Sequence, residues 1–193
     1  RGQVRAFLSQ IIDVFAAEDY EVTVFPTGKE GDARNKVYAD AGSYDRVVCC
    51  GGDGTLDEAV TGMMERTDRV PIGYIPGGST NDFAHSLQIP RANMIEAARI
   101  AVDGSEFRCD VGAFNRDYFV YVAAFGLFSD VSYQTPQSMK HILGHVAYVL
   151  EGAKRLQDIP SYHLVIRTGE EEIEGDFVYG MVSNSNYVGG LKN

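Results

Sequence analysis

Val47-Val48-Cys49-Cys50-Gly51-Gly52-Asp53-Gly54-Thr55-Leu56-Asp57-Glu58 runs an apolar strand into glycines, an Asp and a Thr, just where a helix can begin. Such a break suits a phosphate. Glycines let backbone N–H groups approach an anion without Cβ interference, and the helix that follows presents its positive N-terminal end. Asp53 adds the opposite sign. A carboxylate among phosphate-binding amides repels the ligand unless Mg²⁺ or a donor network stands between them, so Asp53 is expected to organise one or the other.

Outward from this stretch, strands alternate with helices. Val4, Phe7, Leu8, Ile11, Ile12 and Phe15 fall at helical spacing, and Glu21 to Phe25 reads as a strand. Asp32 to Ala41 reads as a helix, Arg46 to Cys50 as a buried strand, Leu56 to Glu65 as a helix and Pro71 to Ile75 as a strand. A further helix is expected from Asn93 to Val102. The pattern predicts an α/β domain with a doubly wound, mostly parallel sheet, its ligands held beyond the carboxyl ends of the strands. Near residue 106 the texture turns β-rich, with strands expected over Arg108 to Phe114 and Tyr118 to Ala124 around the turn Asn115-Arg116-Asp117. An amphipathic helix is expected from Ser138 to Leu156, then strands over Tyr162 to Ile166 and Phe177 to Ser183, with Glu170-Glu171-Glu172 as a solvated turn. Residues 1–106 are therefore expected to form one domain and 107–193 the start of a β-rich second one. Both ends read as cut, since a doubly wound domain normally opens on a strand.

Composition narrows the class. Of the 193 residues 45% are hydrophobic, enough for a real core, and 17 Lys and Arg against 27 Asp and Glu give a net charge of -10. That balance argues against nucleic acid as a partner. No apolar run approaches the roughly 18 residues of a membrane span and no leader opens the chain, so a cytoplasmic protein is expected. Cys49, Cys50 and Cys109 suit neither a disulfide framework nor a zinc site and are expected to be buried reduced thiols.

A second loop repeats the logic of the first at the next strand: Ile75-Pro76-Gly77-Gly78-Ser79-Thr80-Asn81-Asp82-Phe83-Ala84. Ser79, Thr80 and Asn81 offer donors to phosphate or sugar oxygens, and Asp82 supplies another carboxylate near a helix start. Together the two loops strongly resemble the catalytic domain of diacylglycerol kinases and the related bacterial lipid kinases, whose nucleotide domain is similar to those of phosphofructokinase and NAD kinase. The resemblance covers nearly the whole chain. It implies ATP and Mg²⁺ as cofactors, with Thr27 of Thr27-Gly28-Lys29-Glu30-Gly31-Asp32-Ala33 contacting ATP. It implies an ATP-binding loop of Gly51, Gly52, Asp53, Gly54, Thr55, Leu56, Asp57 and Glu58, and a second of Ser79, Thr80, Asn81 and Asp82. Asp53 and Asp82 are the expected Mg²⁺ or water-network residues, so Asp53→Asn is expected to abolish turnover with the fold intact. Asp110-Val111-Gly112 and Ala124-Phe125-Gly126 resemble the family's entry into its second domain.

The chain departs from the family pattern in places. Asp57 replaces an Asn and Ser79 a Thr, both keeping polar function, whereas His85 replaces an Arg and exchanges a permanent cation for an imidazole. The family's opening Asn-Pro turn is missing, and its general base and second-domain Mg²⁺ ligands are expected beyond Asn193, so no catalytic base is assigned and this fragment alone is expected to be inactive. Glu58 has a second reading as an acid at the first helical turn. His85 reads as a polar helix residue rather than a base, because no triad partner accompanies it. Lys140, His141, Lys154 and Arg155 could meet acidic headgroups, but the solvated face of a core helix is the favoured reading. The expected function is transfer of the ATP γ-phosphoryl group to a lipid hydroxyl at a membrane surface, from the cytoplasmic side. Transfer to NAD or another small molecule, and a nucleotide-binding module without catalysis, are the alternatives. Oligomeric state stays open, a homodimer included.

Overall fold

The computed structural model of the chain describes residues 2–126, 161–185, 187–188 and 191–192. Helix α1 (Gly2–Ala16) and α2 (Asp32–Asp40) precede β1 (Val47–Gly51), α3 (Asp53–Met64) and β2 (Ile72–Pro76). The short α4 (Asp82–Ser86) and α5 (Met94–Asp103) follow. β1 and β2 pair in parallel, from Val47 opposite Ile72 to Gly51 opposite Pro76.

Side chains of a strand alternate between faces, and here both faces are covered. Cys49 and Tyr74 join one cluster with Val37 of α2 and Leu56, Ala59, Val60 and Met63 of α3. Ile75, with Val48 and Cys50 against it, joins a second with Ile11 and Phe15 of α1 and Ala97, Ala98 and Ala101 of α5. That is the expected α/β architecture, with parallel strands in the N-terminal part and further strands later. Along α1 the buried pair is Ile11 and Phe15, while Phe7 is 40% exposed. Phe7 lies at the edge of the apolar stripe, about 100° around the helix from Leu8.

Close packing of α2 on α3 depends on Gly62, where a Cβ would stand 2.3 Å from the backbone oxygen of Arg34. Gly62→Ala is therefore expected to cost about 2 kcal/mol despite better helix propensity, read as a lower urea midpoint at unchanged slope.

The chain divides into two compact units, Arg1–Val122 with Ser183–Asn193, and Ala123–Val182. The first contains the hairpin of β3 (Gly112–Phe114) and β4 (Asp117–Phe119), turned at Asn115 with φ 58°. β5 (Val122–Gly126) pairs with β8 (Tyr179–Ser183), and β6 (Tyr162–Arg167) pairs antiparallel with β7 (Glu172–Phe177). β9 (Tyr187–Val188) and β10 (Leu191–Lys192) form a last short antiparallel pair.

Several expected elements differ. Glu21 to Phe25 is not a strand: Val22 and Val24 stand 39% and 47% exposed, and β propensity without a ladder partner does not make one. Of Arg108 to Phe114 only Gly112–Phe114 pairs. The run Tyr118 to Ala124 splits because its middle peptides are diverted: Val120 N–H donates to Asp57, while the backbone oxygens of Val120 and Tyr121 accept from Asn184. The expected strand Phe177 to Ser183 begins only at Tyr179, and the turn lies at Thr168 to Glu171, so that Glu172 opens β7. Cys49 is buried and Cys50 half-buried, burial pushing the latter thiol up to about 11, but Cys109 is exposed in the unpaired segment before β3. All three are free. The expected helix Ser138 to Leu156, with Lys140, His141, Lys154 and Arg155, lies outside the described residues. Among the described residues no helix is long and apolar enough to cross a membrane.

Candidate functional site

Both glycine runs leave the carboxyl ends of β1 and β2, and they touch. Gly77 N–H donates to the Gly51 carbonyl at 2.8 Å, extending the ladder one step past the strands. One residue on, a Cβ at Gly78 would stand 2.5 Å from Gly52 Cα, and one at Gly52 would stand 3.2 Å from Gly78 Cα. Only glycines permit that approach. Gly54 differs, since a Cβ there meets nothing within 4 Å.

Helix α3 begins three residues earlier than the apolar pattern predicts, at Asp53. Gly52 is the cap, its carbonyl accepting from Thr55 and Leu56 N–H at 3.0 and 3.1 Å. The leading N–H groups of Asp53 and Gly54 therefore have no intrahelical acceptor. Leu56 is 3% exposed and packs in the core, so only its backbone belongs to the loop.

Asp53 joins the loops. Its Oδ2 accepts from Asp82 N–H at 3.0 Å and from Thr80 Oγ1 at 3.5 Å, while Oδ1 accepts from Phe83 N–H at 3.3 Å and the Tyr74 hydroxyl at 3.4 Å. The two backbone donors are the opening N–H groups of α4, so this carboxylate from one loop caps the helix that leaves the other. Burial first, and then the charge of Asp53, hold the Tyr74 phenol well above its usual range and keep it a donor.

Asn81 is 5% exposed and adopts the left-handed conformation at φ 51°. Its Oδ1 accepts from Gly78 N–H at 2.8 Å and its Nδ2 donates to the Gly78 carbonyl at 2.9 Å, so its amide shapes the loop from within. Ser79 and Thr80 are exposed at the loop tip. Burial and the neighbouring Asp53 hold the Asp82 carboxyl above its usual range, opposed by a hydrogen bond from Tyr121 and by Arg91 and His85.

Asp57 and Glu58 reach away from the loops. Asp57 Oδ1 accepts from Val120 N–H at 3.2 Å, and burial, reinforced by Asp53, pushes its carboxyl up to about 6 against that hydrogen bond. Glu58 Oε2 accepts from Ala33 N–H at 3.2 Å, satisfying a donor in the first turn of α2. Thr27 is half-buried in the turn that Asp32 closes by accepting from Gly28 and Lys29 N–H at 2.7 and 2.9 Å. Among the described residues Thr27 makes no hydrogen bond to either glycine loop. Sequence reasoning missed Tyr74, Tyr121 and Arg91. The one available signal was a hydroxyl-bearing Tyr74 in a strand with both faces covered, since a buried Tyr OH needs a partner.

Two abutting glycine loops on adjacent parallel strands, latched by an acid that caps the second loop's helix, mark the carboxyl edge of an α/β domain. The model of the diacylglycerol kinase catalytic domain matches residues 1–114, and the chain belongs to that family. It is 32% identical over 186 residues to the diacylglycerol kinase of Bacillus subtilis (strain 168), covering 96% of this chain and 61% of that protein. To the diacylglycerol kinase of Staphylococcus haemolyticus (strain JCSC1435) it is 33% identical over 174 residues, covering 90% of the chain and 52% of the relative. A solved diacylglycerol kinase structure from Bacillus anthracis str. Sterne superposes with TM-score 0.76 at 27% identity, over 98% of this chain and 62% of that one. The chain thus spans little more than half the length of these relatives.

Proposed function

We propose that this chain supplies the nucleotide-binding part of an ATP-dependent lipid kinase, which transfers the γ-phosphoryl group to the hydroxyl of diacylglycerol or a related lipid alcohol. The observation that carries the reading is the latched pair of glycine loops. It leaves the first N–H groups of α3 and the open side of Gly54 available to a polyphosphate. Residues 1–106 would hold the nucleotide and 107–193 would begin the lipid-binding part, at the cytoplasmic face of a membrane.

Phosphoryl transfer is chiefly positioning and charge neutralisation. Gly52, Asp53 and Gly54 would hold phosphate oxygens through backbone N–H groups and Thr55 through its hydroxyl, with Ser79 adding a hydroxyl from the other side, Thr80 holding Asp53 beside it and Thr27 making a contact from the turn before α2. Asp53 and Asp82 suit Mg²⁺ through water, because four protein donors already occupy the Asp53 oxygens. Asp82 lies against it and is held above its usual range partly by that charge, so a cation is favoured beside the pair. Among the described residues no group of three or more acids, histidines or cysteines converges as direct metal ligands, which also favours water between ion and carboxylates. When bound, Mg²⁺ neutralises charge on the phosphate oxygens. Asp57, Glu58 and Asn81 support the loops through the contacts they already make.

The test is transfer of label from [γ-³²P]ATP by the complete protein, offered diacylglycerol vesicles, a sugar phosphate and NAD in parallel. Labelled phosphatidic acid is the expected product. Labelled NADP would overturn the lipid reading, and nucleotide binding without any labelled product would make the chain part of a regulatory module.

A further inference from the structure

The short helix α4 closes in a way its own sequence does not require. Gln88 N–H donates to the His85 carbonyl at 3.0 Å and Ile89 N–H to that of Ala84 at 2.8 Å, with Gln88 left-handed at φ 57°. This is a Schellman closure, where glycine is usual because a Cβ makes the conformation costly. The Gln88 amide is exposed and makes no hydrogen bond among the described residues, so no side-chain contact requires a Gln at this left-handed position. Gln88 lines an open hollow of about 550 Å³ together with His85, Ser86, Ile89, Pro90 and Arg91, the four polar side chains among them exposed.

Arg91 gives that wall a permanent charge. Its Nη1 donates to the Thr80 carbonyl at 3.1 Å, which engages only part of the guanidinium fork. Asp82 is the acidic neighbour, its carboxyl drawn downward by Arg91 and His85 against burial and Asp53. Ser86 contributes a hydroxyl, paired at 2.6 Å with that of Ser185. A guanidinium and an exposed amide beside one hollow form a donor set suited to a phosphate, which the Arg fork binds through two oxygens.

We infer that this hollow is a subsite for a phosphate-bearing anion, set beside the second glycine loop rather than within it, with Arg91 as its cation and Gln88 as a donor held on a left-handed backbone. Such a subsite does not depend on phosphoryl transfer. It also locates a permanent cation six residues beyond His85, where the family pattern would have placed an Arg. The anion could arrive free or as a lipid headgroup, and the two are separable.

The complete protein, with ADP held at saturation to occupy the glycine loops, is titrated with inorganic phosphate and, separately, floated with phosphatidylglycerol–phosphatidylcholine vesicles against phosphatidylcholine alone. Binding in the first arm identifies a free phosphate, and binding confined to the second a headgroup. Gln88→Gly is expected to melt a few degrees higher, because strain is relieved, yet to bind the anion several-fold more weakly. Arg91→Gln is expected to weaken it roughly tenfold, as for a lost charge-assisted pair. ADP affinity, measured alone, is expected to stay unchanged in Gln88→Gly. Anion binding unaltered by Gln88→Gly, no anion binding by the parent protein, or a parallel loss of ADP affinity would each overturn the inference. Failure of the parent protein to bind ADP would instead count against the nucleotide reading, with the phosphate titration then read without ADP.

Discussion

Asp53→Asn is expected to abolish measurable phosphoryl transfer and to lower stability by about 2 kcal/mol, the middle of the range for a donor left without its acceptor. The near-isosteric change looks conservative, but the geometry makes it otherwise. Each Asp53 oxygen accepts from a backbone N–H of α4, Asp82 at 3.0 Å on one and Phe83 at 3.3 Å on the other. An Asn amide has one oxygen, so in either orientation its NH₂ faces one of those N–H groups. The helix start is then half-uncapped, and the charge that favours a cation beside Asp82 is gone. Urea denaturation and the labelled-ATP assay on the complete protein separate the two effects. Lost turnover at unchanged stability would leave Asp53 as a charge alone, and near-normal turnover would remove it from the proposed site.

Asp57→Asn is expected to act in the opposite direction. Burial pushes the Asp57 carboxyl up to about 6 from an unperturbed 3.8. Between those values the folded chain binds the proton more tightly than the unfolded chain does, so stability falls as pH rises through that window and stays lower above it. About two pH units of displacement correspond to at most about 3 kcal/mol at neutral pH. Asn keeps an oxygen for Val120 N–H, the contact made at 3.2 Å, without placing a charge there. The variant should therefore gain about 1–2 kcal/mol at pH 7.5, several degrees in Tm, and show little gain at pH 4. Equal gains at both pH values would mean that packing, not charge, separates Asp from Asn at this position.

Much of this architecture is legible in the residues, for reasons that can be named. The two strands are short apolar runs ended by glycine, and covering both faces makes Val47 to Cys50 and Ile72 to Ile75 almost continuously hydrophobic. α5 announces itself through Asn93, whose side chain does accept from Glu96 N–H at 3.1 Å. The start of α3 is less legible, because Asp53-Gly54-Thr55 carries turn chemistry and helix-initiating chemistry at once. Val120 and Tyr121 look like mid-strand residues, and nothing local shows that Asp57 and Asn184, some sixty positions away on either side, will take their peptide groups. At the site, residue types point to a phosphate, yet they do not divide the labour. Asn81, Asp57 and Glu58 read as ligand contacts, whereas their side chains are engaged by the backbone of Gly78, Val120 and Ala33. A long-range side-chain to backbone bond leaves no periodic trace in a sequence.

The near-contact of Gly52 with Gly78 bears on how fast and how tightly a ligand can be captured. Two loops that each sampled many shapes would have to be frozen on binding, at a cost of up to about 1–2 kcal/mol for every residue ordered. Here the backbones abut at 2.5 Å of notional Cβ clearance, and an acid from one loop holds the helix of the other. The cradle is thus preorganised, and its ordering entropy is settled when the chain folds rather than when a ligand arrives. Association with such a surface needs no prior rearrangement, so differences in affinity among ligands should show in how long each stays rather than in how quickly it lands.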